Sequence, residues 1–440
     1  MSKQTRRDFM KTGAGAAGAG MMLPVLNRTA RGTTIVRQLT NDAAGNGNVL
    51  VIVELGGGND GLNMIVPLKQ YATYTSLRPR IAHPQAQILP LYGSNTFNAL
   101  PTMGMTPDFA TLKPVFDAGK VAVIQSAHYP NPNLSHESSR RNYYTGIPSS
   151  NIALSGSGWI GRHSALFGDA GNSLDTIGIG GVNKTLYAAG AKVAGVNASS
   201  TGTASGYSFN TTTNGTNNGE RNNQINAAKV IDTAVSENPY DDLWETTSLD
   251  AIAGADQVTA ASATPNLGTY PTGNNFYYGL RLIAKLIAST SPIVGTRVFY
   301  ISLGGFDTHA NQNGTGNPNT NDQATLHQRL AAGLKAFYDD LALLGWGNKV
   351  AVMVWSEFGR RIADNASFGT DHGTANDILL LGGAVKGGVY GPDPDLTNLT
   401  GGNLRWYVDF RSVYTELITK WLGGDPVQVL NGTFPELGFL

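Results

Sequence analysis

The chain has 440 residues, a formal net charge of +0 and only 14% charged residues. That balance excludes a nucleic-acid binder working through bulk electrostatics. With no cysteine, the chain can form no disulfide, no thiolate metal site and no cysteine nucleophile.

The N-terminal segment Thr5-Arg6-Arg7-Asp8-Phe9-Met10-Lys11 carries paired arginines, a polar residue and then two apolar ones. This is a twin-arginine export signature. The Gly/Ala-rich stretch from Thr12 to Leu26 is too short and too mildly apolar to span a membrane. Residues 1–30 are therefore expected to be a signal peptide. The twin-arginine export machinery is an expected partner, and the mature chain is expected to be periplasmic or secreted, without a stable membrane span. About 410 residues remain, enough for one large α/β domain or two smaller ones.

Five apolar runs predict buried strands: 49–53, 121–124, 298–301, 350–354 and 378–381. Continuous runs of this length fit strands covered on both faces, as in a parallel sheet. A Ser/Thr/Asn/Gly tract over 195–225 predicts a mobile insertion or long loop. Phe276 to Ile287 is a plausible helix, and residues 310–321 form a further loop. Between Asp322 and Leu344, the residues Leu326, Leu330, Leu334, Phe337, Leu341 and Leu344 recur at helical spacing. Val413 to Leu422 is a last candidate helix. Alternating strands and helices argue for an α/β domain.

The polar motifs sit next to the strands. Strand 49–53 leads into Glu54-Leu55-Gly56-Gly57-Gly58-Asn59-Asp60-Gly61. Strand 121–124 leads through His128 to Ser135-His136-Glu137-Ser138-Ser139-Arg140. Strand 298–301 leads to Phe306-Asp307-Thr308-His309, and strand 350–354 to Ser356-Glu357-Phe358-Gly359-Arg360. Gly369-Thr370-Asp371-His372-Gly373 precedes the run at 378. In parallel α/β sheets, ligands bind beyond the carboxyl ends of the strands, so these clusters are expected to converge. Carboxylates and imidazoles together suit a divalent metal such as Zn, Mn or Ca. Asp307 and His309 are two apart and point the same way on an extended chain.

Three other motifs carry less. Gly56 to Gly61 formally matches G-x-G-x-x-G, but no helix opens there, so the glycines more plausibly serve a tight turn and close backbone approach. No G-x-S-x-G elbow is present. Ser135 reads either as a nucleophile or as the start of a helix running through Tyr144. Arg140, Arg141, Arg360 and Arg361 could clamp an anionic group or simply be solvated.

The segments Leu55–Asn63, Ser135-His136, Gly158–Arg162, Phe306–His309, Ser356–Arg360, Gly369–Gly373 and Val408–Tyr414 together resemble a secreted, twin-arginine-exported family known only as a domain of unknown function. That family is grouped with the alkaline-phosphatase and sulfatase clan. The resemblance runs from about residue 48 to the C-terminus. It implies a single domain over 45–440: an α/β, alkaline-phosphatase-like sandwich with a mostly parallel central sheet and helices on both faces. It also implies a metal-dependent hydrolase of phosphate- or sulfate-type esters, acting on a small molecule or a polymer end. Carried over by position, Asp60 (or Glu54), Asp307, His309, Glu357, Asp371 and His372 become metal ligands or their close support. Ser135, with His136 and Arg140, becomes the catalytic group.

Two departures from the clan matter. Glu357-Phe358 stands where clan phosphatases carry an Asp-His pair, which removes a ligand from a two-metal site. The context around Ser135 does not fit formylglycine formation. A catalytically degenerate, exported ligand- or surface-binding protein on the same fold is therefore the alternative, and a polymer-modifying role is a third reading.

Overall fold

The computed structural model describes residues 47–92, 101–147, 156–168, 172, 174–189, 191, 193–205, 254, 257–289, 296–312 and 322–440. The twin-arginine segment lies outside the described residues, as do 206–225 of the polar tract. The described residues fall in one compact unit, Gly45–Leu440. Among them, no helix is long and apolar enough to cross a membrane.

Among the described residues, thirteen strands are formed. After β1 (Val49–Gly56), three short strands, β2 (Ile65–Pro67), β3 (Leu89–Leu91) and β4 (Met103–Met105), make a small antiparallel sheet. The remainder are β5 (Val121–His128), β6 (Thr176–Ile179), β7 (Val193–Ala198), β8 (Ala204–Ser205), β9 (Val298–Gly304), β10 (Val350–Trp355), β11 (Asn376–Gly382), β12 (Gly388–Tyr390) and β13 (Val408–Asp409). They join β1 in a ten-stranded sheet of order β12-β5-β11-β10-β1-β9-β6-β7-β8, with β13 on β5.

All five predicted strands form. Their residues alternate between two cores, as a period of two requires. Val49, Val51, Val53, Val350, Val352 and Val354 point into one core, and Leu50, Ile52, Ala351, Met353 and Trp355 into the other. Each fully buried aliphatic side chain contributes about 1.5–3 kcal/mol relative to exposure, so both faces need cover. Helix α1 (His136–Thr145) and helix α4 (Phe410–Glu416) supply it on the second face, through Tyr143, Phe410, Val413 and Tyr414. On the first face lie α2 (Asn275–Ala288) and α3 (Gln323–Leu343). Asp322 caps α3 by accepting from the Thr325 N–H at 2.7 Å, and Leu326, Leu330, Leu334, Phe337 and Leu341 are its buried stripe. The fourth helix continues as a π-helical turn over Leu417–Leu422.

Two expectations change. The run at 378–381 becomes β11, which is antiparallel to both β10 and β5. A parallel return would need a crossover, usually through a helix. Here residues 356–375 stay at the strand ends instead. A Leu-rich run buried on both faces does not encode direction, so sequence could not reveal the reversal. The beginning of the 195–225 tract is also not loop: Gly195–Ala198 complete β7, which pairs in parallel with β6, and Ala204–Ser205 pair against β7.

The reversal of β11 has a functional consequence. Its amino end lies at the carboxyl ends of β5, β10, β1 and β9. The cluster preceding β11 therefore meets the clusters that follow its neighbours.

Candidate metal centre

The strand-end loops pack backbone against backbone. Gly57 has φ +126°, and a Cβ there would lie 2.4 Å from the Asp307 amide nitrogen. At Gly58, φ is +80° and a Cβ would meet the Phe358 ring at 2.1 Å. Glycine is needed at both positions for conformation and for space, and no nucleotide-binding helix opens there. Buried Arg360 ties the loops together. It donates to the carbonyls of Gly57, Gly58 (2.6 Å), Phe306 (3.0 Å) and Thr370 (2.9 Å), and to Asp307 Oδ1 at 2.7 Å. Its planar fork of donors suits this task in a way a lysine would not. Arg360 thus positions Asp307 instead of clamping a ligand.

Three imidazoles converge on Asp307. His309 Nε2 lies 3.0 Å and His372 Nε2 3.2 Å from Oδ1, and His136 Nε2 lies 3.5 Å from Oδ2. The Nε2 atoms of His309 and His372 are themselves 3.0 Å apart. Ligand atoms of His136, Asp307 and His372 all fall within 4.8 Å of one another. Each residue arrives from a different element. His136 is the first residue of α1, which Ser135 opens in extended conformation and Gly146 closes at φ +64°. Asp307 and His309 follow β9. His372 is held by a bridge to Arg360.

The outer nitrogens are also engaged. His136 Nδ1 meets Glu357 Oε1 at 2.9 Å, His372 Nδ1 meets the Leu134 carbonyl at 2.8 Å, and His309 Nδ1 meets Asp371 Oδ1 at 3.3 Å. Holding Nδ1–H in this way leaves the Nε2 lone pair facing inward, the usual arrangement behind metal-ligating histidines. The Phe358 ring packs beneath, its centroid 5.0 Å from His136 and 4.5 Å from His372.

These contacts also set the charges. Burial pushes the Asp307 carboxyl up, but the Arg360 hydrogen bond and charge, with the histidines, hold it below its usual range. Burial likewise raises Glu357. The His136 hydrogen bond, Arg140 and the Gly57 N–H more than offset it, and the net direction is down. Through its bond to Glu357, His136 is raised despite partial burial. Asp371 is lowered, chiefly by the Asn365 hydrogen bond.

Several expected ligands fall elsewhere. Asp60 closes a buried ion pair with Arg78 (2.5 and 3.0 Å) and accepts from Gln312 at 2.6 Å. Both its oxygens are used, so it is a structural acid and not a ligand. Glu357 and Asp371 stand behind His136 and His309 as support. His136, expected beside a nucleophile, instead joins the ligand cluster. The Ser135 hydroxyl is exposed and does not cap α1. Glu54 is buried and accepts from Tyr144 (2.9 and 3.0 Å) and Tyr300. His128 is buried away from the cluster, and burial pushes it down to about 3. Sequence reading missed Arg78, which lies outside every motif, and the Leu134 carbonyl, which no side-chain pattern signals. His136, Asp307 and His372, each with its rear contact satisfied, fit a divalent metal, and His309 Nε2 stands beside them, 3.0 Å from both Asp307 and His372.

Residues 48–399 match a family described as a protein of unknown function (DUF1501). The chain belongs to this family. It is the unknown-function family to which the motifs pointed. No curated protein matches the chain. Among solved structures, the lipoteichoic acid synthase LtaP from Listeria monocytogenes is similar over 80% of this chain and 69% of its own, at 9% identity and TM-score 0.30. Alkaline phosphatase from the Antarctic bacterium TAB5 is similar over 77% and 92%, at 13% identity and TM-score 0.29. A 4S-sulf protein of Bacteroides thetaiotaomicron, described with the metabolism of multiple glycosaminoglycans, is similar over 78% and 69%, at 10% identity and TM-score 0.33. Likeness at this level leaves function to be argued from the site itself.

Proposed function

We propose that this protein is an exported, metal-dependent hydrolase of phosphate- or sulfate-type esters. The observation that carries the metal reading is the convergence of His136, His309 and His372 Nε2 on Asp307, within 3.0–3.5 Å. The ester class rests on the resemblance of the strand-end motifs to the phosphatase and sulfatase clan. Export rests on the twin-arginine signature.

A divalent ion held by these four residues would supply Lewis-acid polarisation of an ester oxygen. A donor set rich in imidazole suits Zn or Mn better than Ca, which prefers an all-oxygen shell. Glu357 and the Leu134 carbonyl fix the rings of His136 and His372. Arg360 fixes the carboxylate of Asp307. Ser135, exposed one residue before His136, is the candidate nucleophile: its oxygen would form the new bond to phosphorus or sulfur as the alcohol leaves with the hydroxyl proton, and water would then displace the serine oxygen and release phosphate or sulfate.

The test uses full-length mature protein, stripped with chelator and reloaded with Zn or Mn. It is assayed on p-nitrophenyl phosphate, bis(p-nitrophenyl) phosphate and p-nitrophenyl sulfate. Turnover that returns with metal and is lost in His309→Ala is expected. A fully loaded protein that turns over none of the three contradicts the proposal.

A further inference from the structure

A second pair of acids lies beside the centre. Glu54 lies near the carboxyl end of β1 and Glu357 follows β10, its neighbour in the sheet, where Glu54 is in register with Trp355. Both side chains are withdrawn from solvent, at 5% and 0% exposure. Arg140 enters between them from α1. Its Nε lies 3.0 Å from Glu54 Oε1 and 3.2 Å from Glu357 Oε1, yet makes an aligned hydrogen bond with neither. The guanidinium therefore acts here as a charge between two carboxylates and not as a directional donor. Space is made for it: a Cβ on Gly56 would stand 2.7 Å from Arg140 Nη2. Glu357 Oε1 is shared, since the same oxygen meets His136 Nδ1 at 2.9 Å.

We infer that Arg140 is a built-in second cation, which occupies the space between Glu54 and Glu357 and limits the centre to one divalent ion. This rests on the metal-centre reading above. Two desolvated carboxylates side by side repel each other, and a positive charge between them offsets that repulsion. A guanidinium supplies that charge permanently, because it does not deprotonate in proteins. Without it, the Glu54 and Glu357 carboxylates and the phenols of Tyr144 and Tyr300 form an all-oxygen pocket. Such a donor set suits a hard divalent cation such as Mn. Arg140 is thus a positioning residue. It holds Glu357 for His136, and it substitutes for an ion.

The test counts metal. Full-length protein is stripped and titrated with Mn2+, and bound metal per chain is measured by elemental analysis after gel filtration. We expect one equivalent in the wild type and in Arg140→Lys. Arg140→Ala and Arg140→Met should each take up a second, weaker equivalent, which disappears when Glu54→Gln is added. Two equivalents in the wild type overturn the inference and leave the metal-centre reading standing. So does a single equivalent in the neutral variants. No bound metal in the wild type overturns both. The methionine variant keeps the volume of the side chain, so the count does not depend on the alanine variant folding.

Discussion

Two clusters of aspartate, histidine and arginine lie at the strand ends of this fold, and they behave differently. In the inner one, Asp60 receives Arg78 through two nitrogens and Gln312 through a third. Beside it, Asn59 Oδ1 meets His327 Nε2 at 2.8 Å, and Gln312 Oε1 accepts from Thr370 at 2.6 Å. All of these groups are buried. In the outer cluster Asp307 is 46% exposed, and three imidazole nitrogens face it. His372 Nδ1 faces the Leu134 carbonyl and His309 Nδ1 faces Asp371, so in the neutral rings the proton sits at the rear and the inward Nε2 atoms, 3.0 Å apart, carry lone pairs. The same residue types thus build a saturated brace in one place and an unsaturated ligand cage in the other. The distinction lies in whether donors and acceptors already balance.

The largest effect is expected at Arg78. Arg78→Ala leaves Asp60 buried without its partner, and breaking such a pair costs about 3–5 kcal/mol. Denaturant unfolding should show that loss while metal content per folded chain stays unchanged. At the outer cluster the pattern inverts. His372→Ala should weaken metal binding by at least about 100-fold, beyond the range seen for supporting residues. The stability of the metal-free protein should move by no more than about 1 kcal/mol, because the side chain is partly exposed and bound through few contacts.

Supporting groups should give intermediate effects. Glu357→Gln keeps the shape but loses the charge behind His136, and about a 10–100-fold loss of metal affinity is expected by calorimetric titration. Asp371→Asn should cost less than about tenfold, since Asp371 is exposed and, of the three imidazoles facing Asp307, meets His309, at 3.3 Å, while also accepting from Asn365.

The two clusters also respond oppositely to pH. Burial pushes His327 down to about 3, below its unfolded value near 6.5. The unfolded chain therefore takes up that proton first, and stability falls as pH drops from about 6.5 toward 3. The slope is about 1.4 kcal/mol per pH unit for each such histidine, and unfolding of His327→Gln across that range should show a shallower acid limb. His136 is raised by Glu357. In metal-free protein its contribution is fully present below about pH 6.5 and is lost as pH rises through the raised value.

Much of this was legible in advance. The five apolar runs gave the strands, because burial on both faces leaves a continuous apolar signature. The Leu326-to-Leu341 spacing gave α3. The convergence of motifs at one edge followed from strand polarity. Less was legible where the answer depends on partners distant in sequence. Asp60 looks like a ligand until Arg78 is seen to neutralise it. Arg360 looks like an anion clamp until its donors are counted against four carbonyls. The antiparallel course of β11 left no mark on its composition, and the motif before it reached the correct edge only because of that reversal.

The central claim is that the outer cluster holds metal and the inner one holds the fold. One zinc titration, run in parallel on stripped wild type, Asp60→Asn and His372→Ala, addresses it most directly. The account predicts tight binding in the wild type and in folded Asp60→Asn, and its loss in His372→Ala. Binding that vanishes in folded Asp60→Asn, or that persists undiminished in His372→Ala, would contradict it.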